Sequence, residues 1–197
     1  EFLKEKFSKY NYSIIAEESV KNEFDTSIII DPIDGTTNFA HKVPHCCISV
    51  GVFENKKPKF AFVYNPILDE FFYAIKGEGA YKNGEKINVS SANNFQRALI
   101  STGFPYSGAD NIDDLMWVVN RIKNILPACQ DIRRFGSAAL DLCYVADGMI
   151  DGYYEINLKP WDVSAGMLIL KEAGGVVTNL EGMEYDMFKD RCIVASN

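Results

Sequence analysis

The stretch Asp31-Pro32-Ile33-Asp34-Gly35-Thr36-Thr37-Asn38 constrains this chain more than any other. It follows the short β-branched run Ser27-Ile28-Ile29-Ile30, which turn residues bound and which reads as a buried strand. Two carboxylates therefore stand at the carboxyl end of a strand, with Pro32 stiffening the bend between them. Gly35 permits a tight turn, and Thr36 opens the next turn or helix with its hydroxyl and N–H groups exposed. Clustered oxygens suit a hard divalent cation, and backbone N–H groups suit a phosphate. One octapeptide offers both.

The rest of the chain reads as two unlike halves. Strands are predicted over 12–16, 46–53, 60–64 and 71–75, and Asn83-Gly84 between Tyr81 and Ile87 predicts a hairpin. The first half, 1–95, is thus an antiparallel meander. In the second, 96–197, Ile112, Leu115, Val119, Ile122 and Leu126 keep helical spacing up to Pro127. Further helices are expected over 138–146, closed by Asp147-Gly148, and from Trp161-Asp162 to Glu172, stopped by Gly174-Gly175. Strands are expected over 149–155, 176–178 and 193–195. With no linker or repeat, 1–197 reads as one α/β (α+β) domain with two sub-sheets.

Composition excludes several classes. The net charge of −7, with no dense Lys/Arg block, argues against a broad nucleic-acid-binding face. An acidic chain still binds a small phosphate where bound cations reverse the local field. The five cysteines are odd in number and lack a C-x-x-C pair, and only His41 and His45 supply imidazoles. That disfavours a zinc site or a disulfide framework and points to a reducing, cytoplasmic setting. No run approaches the length of a membrane span, and the first residues lack the pattern of a signal peptide. They look like the end of an amphipathic helix without an N-cap, so the chain is expected to begin inside a larger structure.

Taken singly, the acidic residues have plain explanations. Glu17-Glu18 suits a solvated turn, Asp162 an N-cap, Glu155 an exposed strand end, and Asp110, Asp113 and Asp114 the solvated first turn of a helix. Gly136-Ser137 suits a helix start, Trp161 a packing anchor for Asp162, and the two histidines structural or rim positions. Capping alone does not explain Asp31 and Asp34, and converging like charges are costly without a cation.

Together, Glu17-Glu18, the octapeptide with Phe39, Arg134-Phe135-Gly136-Ser137-Ala138-Ala139-Leu140, Trp161-Asp162 and Glu172-Ala173-Gly174-Gly175 stand in an informative order. In that order the chain resembles the inositol monophosphatase family over nearly its whole length, especially its bacterial and archaeal branch. The resemblance implies a layered α-β-α-β-α sugar-phosphatase fold, with an antiparallel first sheet and a smaller mixed second sheet. It implies a Mg²⁺-dependent phosphomonoesterase using two or three ions. Glu17, Asp31 and the Ile33 carbonyl would hold one ion; Asp31, Asp34 and Asp162 would hold another. Glu17, Asp34 and Thr36 would be catalytic, acting on a water without a covalent intermediate. Ile33, Asp34, Gly35, Thr36, Gly136, Ser137, Ala138, Glu155 and Asp162 would meet the substrate, with Gly35 and Thr36 cradling phosphate.

The substrate implied is a small phosphorylated polyol or sugar, inositol monophosphate first, with fructose 1,6-bisphosphate and other sugar or nucleotide phosphates as alternatives. A lithium-sensitive homodimer follows from the same resemblance. Helices expected before Glu17 and after Asn197 are missing from the pattern, and Ala16 stands where many members have Gly. Two rivals remain: a regulatory protein acting on RNA or a transcription complex, and a structural calcium-binding domain.

Overall fold

The computed structural model describes residues 12–16, 26–105 and 111–197. Strands β1 (Ser13–Ala16), β2 (Thr26–Asp34), β3 (Cys47–Glu54), β4 (Lys57–Asn65), β5 (Glu70–Ile75), β6 (Gly79–Lys82) and β7 (Glu85–Ile87) form one sheet in chain order. β1 runs parallel to β2, and every later pair is antiparallel. The β6–β7 turn is the Asn83-Gly84 hairpin, with φ of 50° and 88° as a two-residue turn of the primed type requires.

Alternation sets the faces of this sheet. Ala61, Val63, Phe72, Ala74 and Ala80 are fully buried on one side. The rings of Phe60, Phe62, Tyr64, Phe71, Tyr73 and Tyr81 touch one another on the other. Against the small, buried side lies helix α4 (Pro160–Glu172), beside α3 (Ala138–Ala146). Every residue of α3 is buried, as expected of a helix enclosed between two layers.

The far side of that helical pair is covered by strands β8 (Leu99–Thr102), β9 (Asp131–Arg133), β10 (Gly152–Ile156), β11 (Val176–Thr178) and β12 (Cys192–Ser196). Their order is β11-β12-β10-β8-β9, with β8 parallel to β9 and β10, and β12 antiparallel to β10 and β11. Helix α2 (Ile112–Ile125) packs Trp117 and Ile125 over Ala98, Ile100 and Tyr154 on the outer face. A short helix, α1 (Thr36–Ala40), follows β2. The mixed two-sheet α/β class expected from the sequence is therefore the class observed.

Two strands were not expected and two local expectations change. β8 and β9 lack a readable period: one ends in the buried polar pair Ser101-Thr102, and the other is three residues at a sheet edge. β10 starts at Gly152 rather than Met149, because the N–H groups of Met149 and Ile150 close the end of α3 on the Tyr144 carbonyl. Glu172, quoted above for the family resemblance, does structural work. Its carboxylate accepts from the N–H groups of Gly77 (2.9 Å) and Gly79 (3.1 Å) and pairs with Lys76, tying α4 to the β5–β6 turn.

The α3–α4 contact is close enough to test. A Cβ at Gly166 would lie 2.7 Å from the Leu142 Cβ. Gly166→Leu should cost about 1–3 kcal/mol through overpacking, read as a lower thermal midpoint. An unchanged midpoint would show that the two helices separate freely.

Candidate active site

Asp31 and Asp34 are three residues apart, and a regular strand would point them to opposite faces. The structure resolves this with a bulge. Asp31 pairs with Ser49 and Asp34 with Cys47, so β2 carries one extra residue over this interval. Pro32 sits inside the bulge, where no ladder N–H is demanded of it. Asp162, from the first turn of α4, joins them, and carboxylate oxygens of the three acids lie within 4.8 Å of one another.

Each acid is held by backbone groups. The Ile33 N–H donates to Asp31 Oδ1 at 3.0 Å, and the Lys159 N–H to Asp162 Oδ2 at 2.7 Å. Asp34 Oδ2 accepts from the Ser137 hydroxyl (2.6 Å) and the Ala139 N–H (2.8 Å), with the Cys47 thiol at 3.8 Å. Asn38 ties the same region together: its amide donates to the carbonyls of His45 (2.7 Å) and Phe135 (2.8 Å). Gly35, at φ 85°, makes the turn from Asp34 into α1.

The three acids open on a cleft of about 440 Å³, a volume suited to a small-molecule ligand. Ile33, Gly35, Thr36 and Glu155 line it with them, and Phe104, Leu158 and Trp161 supply apolar wall. Thr36 begins α1, where a helix has N–H groups with no intrahelical acceptor. Glu155 takes a 2.5 Å hydrogen bond from the Tyr153 hydroxyl. Its carboxyl lies directly over Gly103, where a Cβ would come within 1.9 Å of it. Arg134 stacks its guanidinium above Phe104 at 5.4 Å.

The sequence-predicted residues thus divide. Asp31, Ile33, Asp34, Gly35, Thr36, Glu155 and Asp162 meet at one cleft. Gly136, Ser137 and Ala138 are not among its lining residues; they stand behind Asp34, where Ser137 is 1% exposed and gives its hydroxyl to that carboxylate. Glu17 and Glu18 lie outside the described residues. Asp162 is the third residue of its helix rather than its N-cap, which is Lys159. His45 is buried, stacks on Phe135 and is lowered to about 4 by that burial, so it is neutral and structural. Gly103 and the Tyr153 hydroxyl were missed. The contact of Gly103 has no local signal, whereas Tyr153 and Glu155 share a face by simple strand alternation.

Burial dominates the electrostatics. It pushes Asp162 up to about 8, against the Lys159 N–H bond and with the nearby charges of Asp34 and Asp31. It raises Glu155 to about 7, partly countered by the Tyr153 hydroxyl. Asp34 is raised too, against the bonds from Ser137 and from the N–H groups of Ala139, Gly35 and Ala138. Converging carboxyls of this kind favour their neutral forms, and a bound cation would favour the charged ones. The cluster offers only hard oxygen donors, which fit Mg²⁺ or Ca²⁺ rather than a soft metal.

A two-sheet α/β protein with oxygen-only acids at a strand-end bulge, facing a small cleft, falls in the broad class of small-molecule-binding proteins with a candidate hard-cation site. Its membership is narrower: the chain belongs to the inositol monophosphatase family, whose model matches residues 1–197. It is 41% identical over 189 residues to the Nus factor SuhB of Escherichia coli K12, covering 94% of this chain and 69% of that protein. It is 45% identical over 170 residues to inositol monophosphatase 2 of Solanum lycopersicum, covering 86% of this chain and 63% of that one. Among solved structures, the inositol monophosphatase of Anabaena (Nostoc) sp. PCC 7120 superposes with a TM-score of 0.91 at 37% identity, covering 99% of this chain and 76% of that one.

Two expectations follow from this geometry. A carboxyl raised in the folded state keeps a proton that the unfolded chain, with a pKa of about 4, has lost. Metal-free stability should therefore fall as pH rises from about 4 to about 8 through Asp162 and Glu155. A cation held by the three acids would compete with the Asp162 proton, so an increase of the thermal midpoint by Mg²⁺ should be larger at pH 8 than at pH 6. Asp162→Asn should raise the metal-free midpoint at pH 8 and shrink the Mg²⁺ increment; equal increments at both pH values would contradict the cation site.

Gly103→Ala tests the Glu155 pocket. The added methyl meets the far end of a flexible side chain, so the fold should tolerate it while the carboxyl moves. With a polyol phosphate as substrate, kcat/KM should fall about tenfold or more, the worth of a hydrogen bond to a charged group. Unchanged kinetics would remove Glu155 from substrate binding.

Proposed function

We propose that this protein is a Mg²⁺-dependent phosphomonoesterase acting on a small phosphorylated polyol or sugar, inositol monophosphate first among them. The observation that carries the reading is the meeting of Asp31, Asp34 and Asp162 within 4.8 Å at the floor of a cleft sized for such a molecule. Asp31, Asp34, Asp162 and the Ile33 carbonyl would hold the cations, with Glu17 as a further proposed ligand. The chemistry Mg²⁺ supplies when bound is electrostatic: it neutralises phosphate charge and acidifies water, which is most of what phosphoryl transfer requires.

The chain's own groups would orient the substrate. Thr36, at the start of α1, would meet phosphate oxygens with its N–H and hydroxyl, and its role as a catalytic partner of Glu17 belongs to the same proposal. Glu155, aimed by Tyr153, would accept hydrogen bonds from polyol hydroxyls. Phe104, Leu158 and Trp161 would exclude water from the ring faces. Gly136, Ser137 and Ala138 would act through Asp34. All five cysteines are free, in keeping with a reducing cytoplasm as the place of work. A homodimer and inhibition by lithium, competing at the three acids, complete the proposal.

A second reading is favoured by one relative's name. The 41% identical SuhB is called a Nus factor, which supports a regulatory role on RNA or a transcription complex. One assay separates the two. Phosphate release from inositol, sugar and nucleotide monophosphates and from fructose 1,6-bisphosphate should require Mg²⁺. It should fall by at least about a thousandfold in Asp34→Asn, as when a group central to transition-state stabilisation is lost. Absence of turnover on every substrate, with Mg²⁺ binding intact, would favour the regulatory reading.

A further inference from the structure

Asp114 was expected to be a solvated acid of a helix's first turn, yet it is 4% exposed. Both of its oxygens are engaged: Oδ2 accepts from the Asn157 amide at 2.6 Å, and Oδ1 accepts from the Arg191 guanidinium. Arg191 closes the triangle, since its Nε donates to Asn157 Oδ1 at 3.0 Å. A fourth bond runs along the backbone, from the Asn157 N–H to the Arg191 carbonyl at 2.8 Å. Three elements meet here: the first turn of α2, the end of β10 and the approach to β12.

Asn157 has φ 64°, a left-handed conformation that glycine adopts freely and asparagine more readily than other non-glycine residues. Glycine would satisfy the turn at lower cost. What asparagine adds is the pair of side-chain bonds to Asp114 and Arg191.

The location gives those bonds a consequence. Asn157 lies two residues beyond Glu155 and five before Asp162, and the residues between carry Leu158 and Trp161 into the cleft wall. Register pairs Ile156 with Cys192, which places Asn157 and Arg191 at the end of the sheet where the cleft opens. β8 and β10 are parallel, so the Gly103–Phe104 turn leaves the sheet at that same end. We propose that Asp114, Asn157 and Arg191 form a positioning clamp. It fixes the 156–159 wall of the cleft beside Glu155, and hence substrate affinity. This rests on the phosphatase reading above. None of the three is a catalytic residue; Asp114 and Arg191 act through Asn157, which itself lines the cleft two residues from Glu155.

The test uses the full chain in two forms, Asn157→Gly, which keeps the backbone angle and releases the side-chain bonds, and Asp114→Asn, which removes the charge. Hydrogen exchange of the 156–159 amides should quicken at least about tenfold in both variants, as expected when a local opening becomes easier. KM for inositol monophosphate should rise about five- to twentyfold with kcat within about twofold, because ground-state and transition-state binding are lost alike. The double variant should raise KM no further than either single one, since all act through one unit. Unchanged exchange at 156–159 overturns the clamp whatever the activity. Faster exchange with unchanged KM overturns its link to binding. If the unaltered protein releases no phosphate from any substrate, the phosphatase reading fails and takes the affinity claim with it, while the exchange measurement still decides the clamp.

Discussion

One buried carboxylate holds the two halves of this protein in register. Asp34 ends a strand of the first sheet, and its Oδ2 takes the Ser137 hydroxyl and the Ala139 N–H from the helix that separates the sheets. Asn38 adds a second tie four residues on, from α1 to the carbonyls of His45 and Phe135. Both ties require the bulge between Asp31 and Asp34, because without the extra residue one acid would face away from the helix. The joint between halves and the floor of the cleft are therefore the same atoms. A change that loosens the packing of α3 on the first sheet moves Asp34, and one wall of the acid cluster, with it.

That economy has an energetic cost. Three carboxyls within 4.8 Å, two of them buried and the third partly so, are stable only as acids or around a cation. The backbone bonds from Ile33, Lys159 and Ala139 favour the charged forms but do not outweigh burial at Asp162 or Asp34. The protein thus concentrates converging acidic groups at one point where its two sheets meet. Such a local conflict between stability and placement is characteristic of functional sites.

Much of this was legible in the chain because local signals and tertiary context agree. The 138–146 helix is read from its apolar run and Asp147-Gly148 stop, and the Asn83-Gly84 hairpin from turn chemistry alone. Asp31, Asp34 and Asp162 stand out because no cap or surface role explains them jointly. What stayed hidden depends on contacts distant in sequence. Asp113 and Asp114 look alike as first-turn acids, yet only Asp114 faces Asn157 and Arg191. Gly103 is an ordinary loop glycine until Glu155, fifty-two residues later, lies across it. Strands β8 and β9 are too short for a period to show; β10 offers β8 a partner, and β8 in turn offers one to β9.

The cleft's floor and walls are held by different kinds of bond, and this separates chemistry from selectivity. The floor acids accept from backbone N–H groups, whose positions the strand bulge and two helix starts dictate and which most substitutions nearby leave intact. The walls depend on side chains: Tyr153 aims Glu155, Arg134 covers Phe104, and Asn157 reaches Asp114 and Arg191. Single substitutions can therefore reshape the walls without disturbing the acids. A fold built this way can vary its cleft walls over one constant acidic floor, and under the phosphatase reading proposed above the determinants of substrate choice belong on the 103–105 and 155–161 segments rather than in the octapeptide.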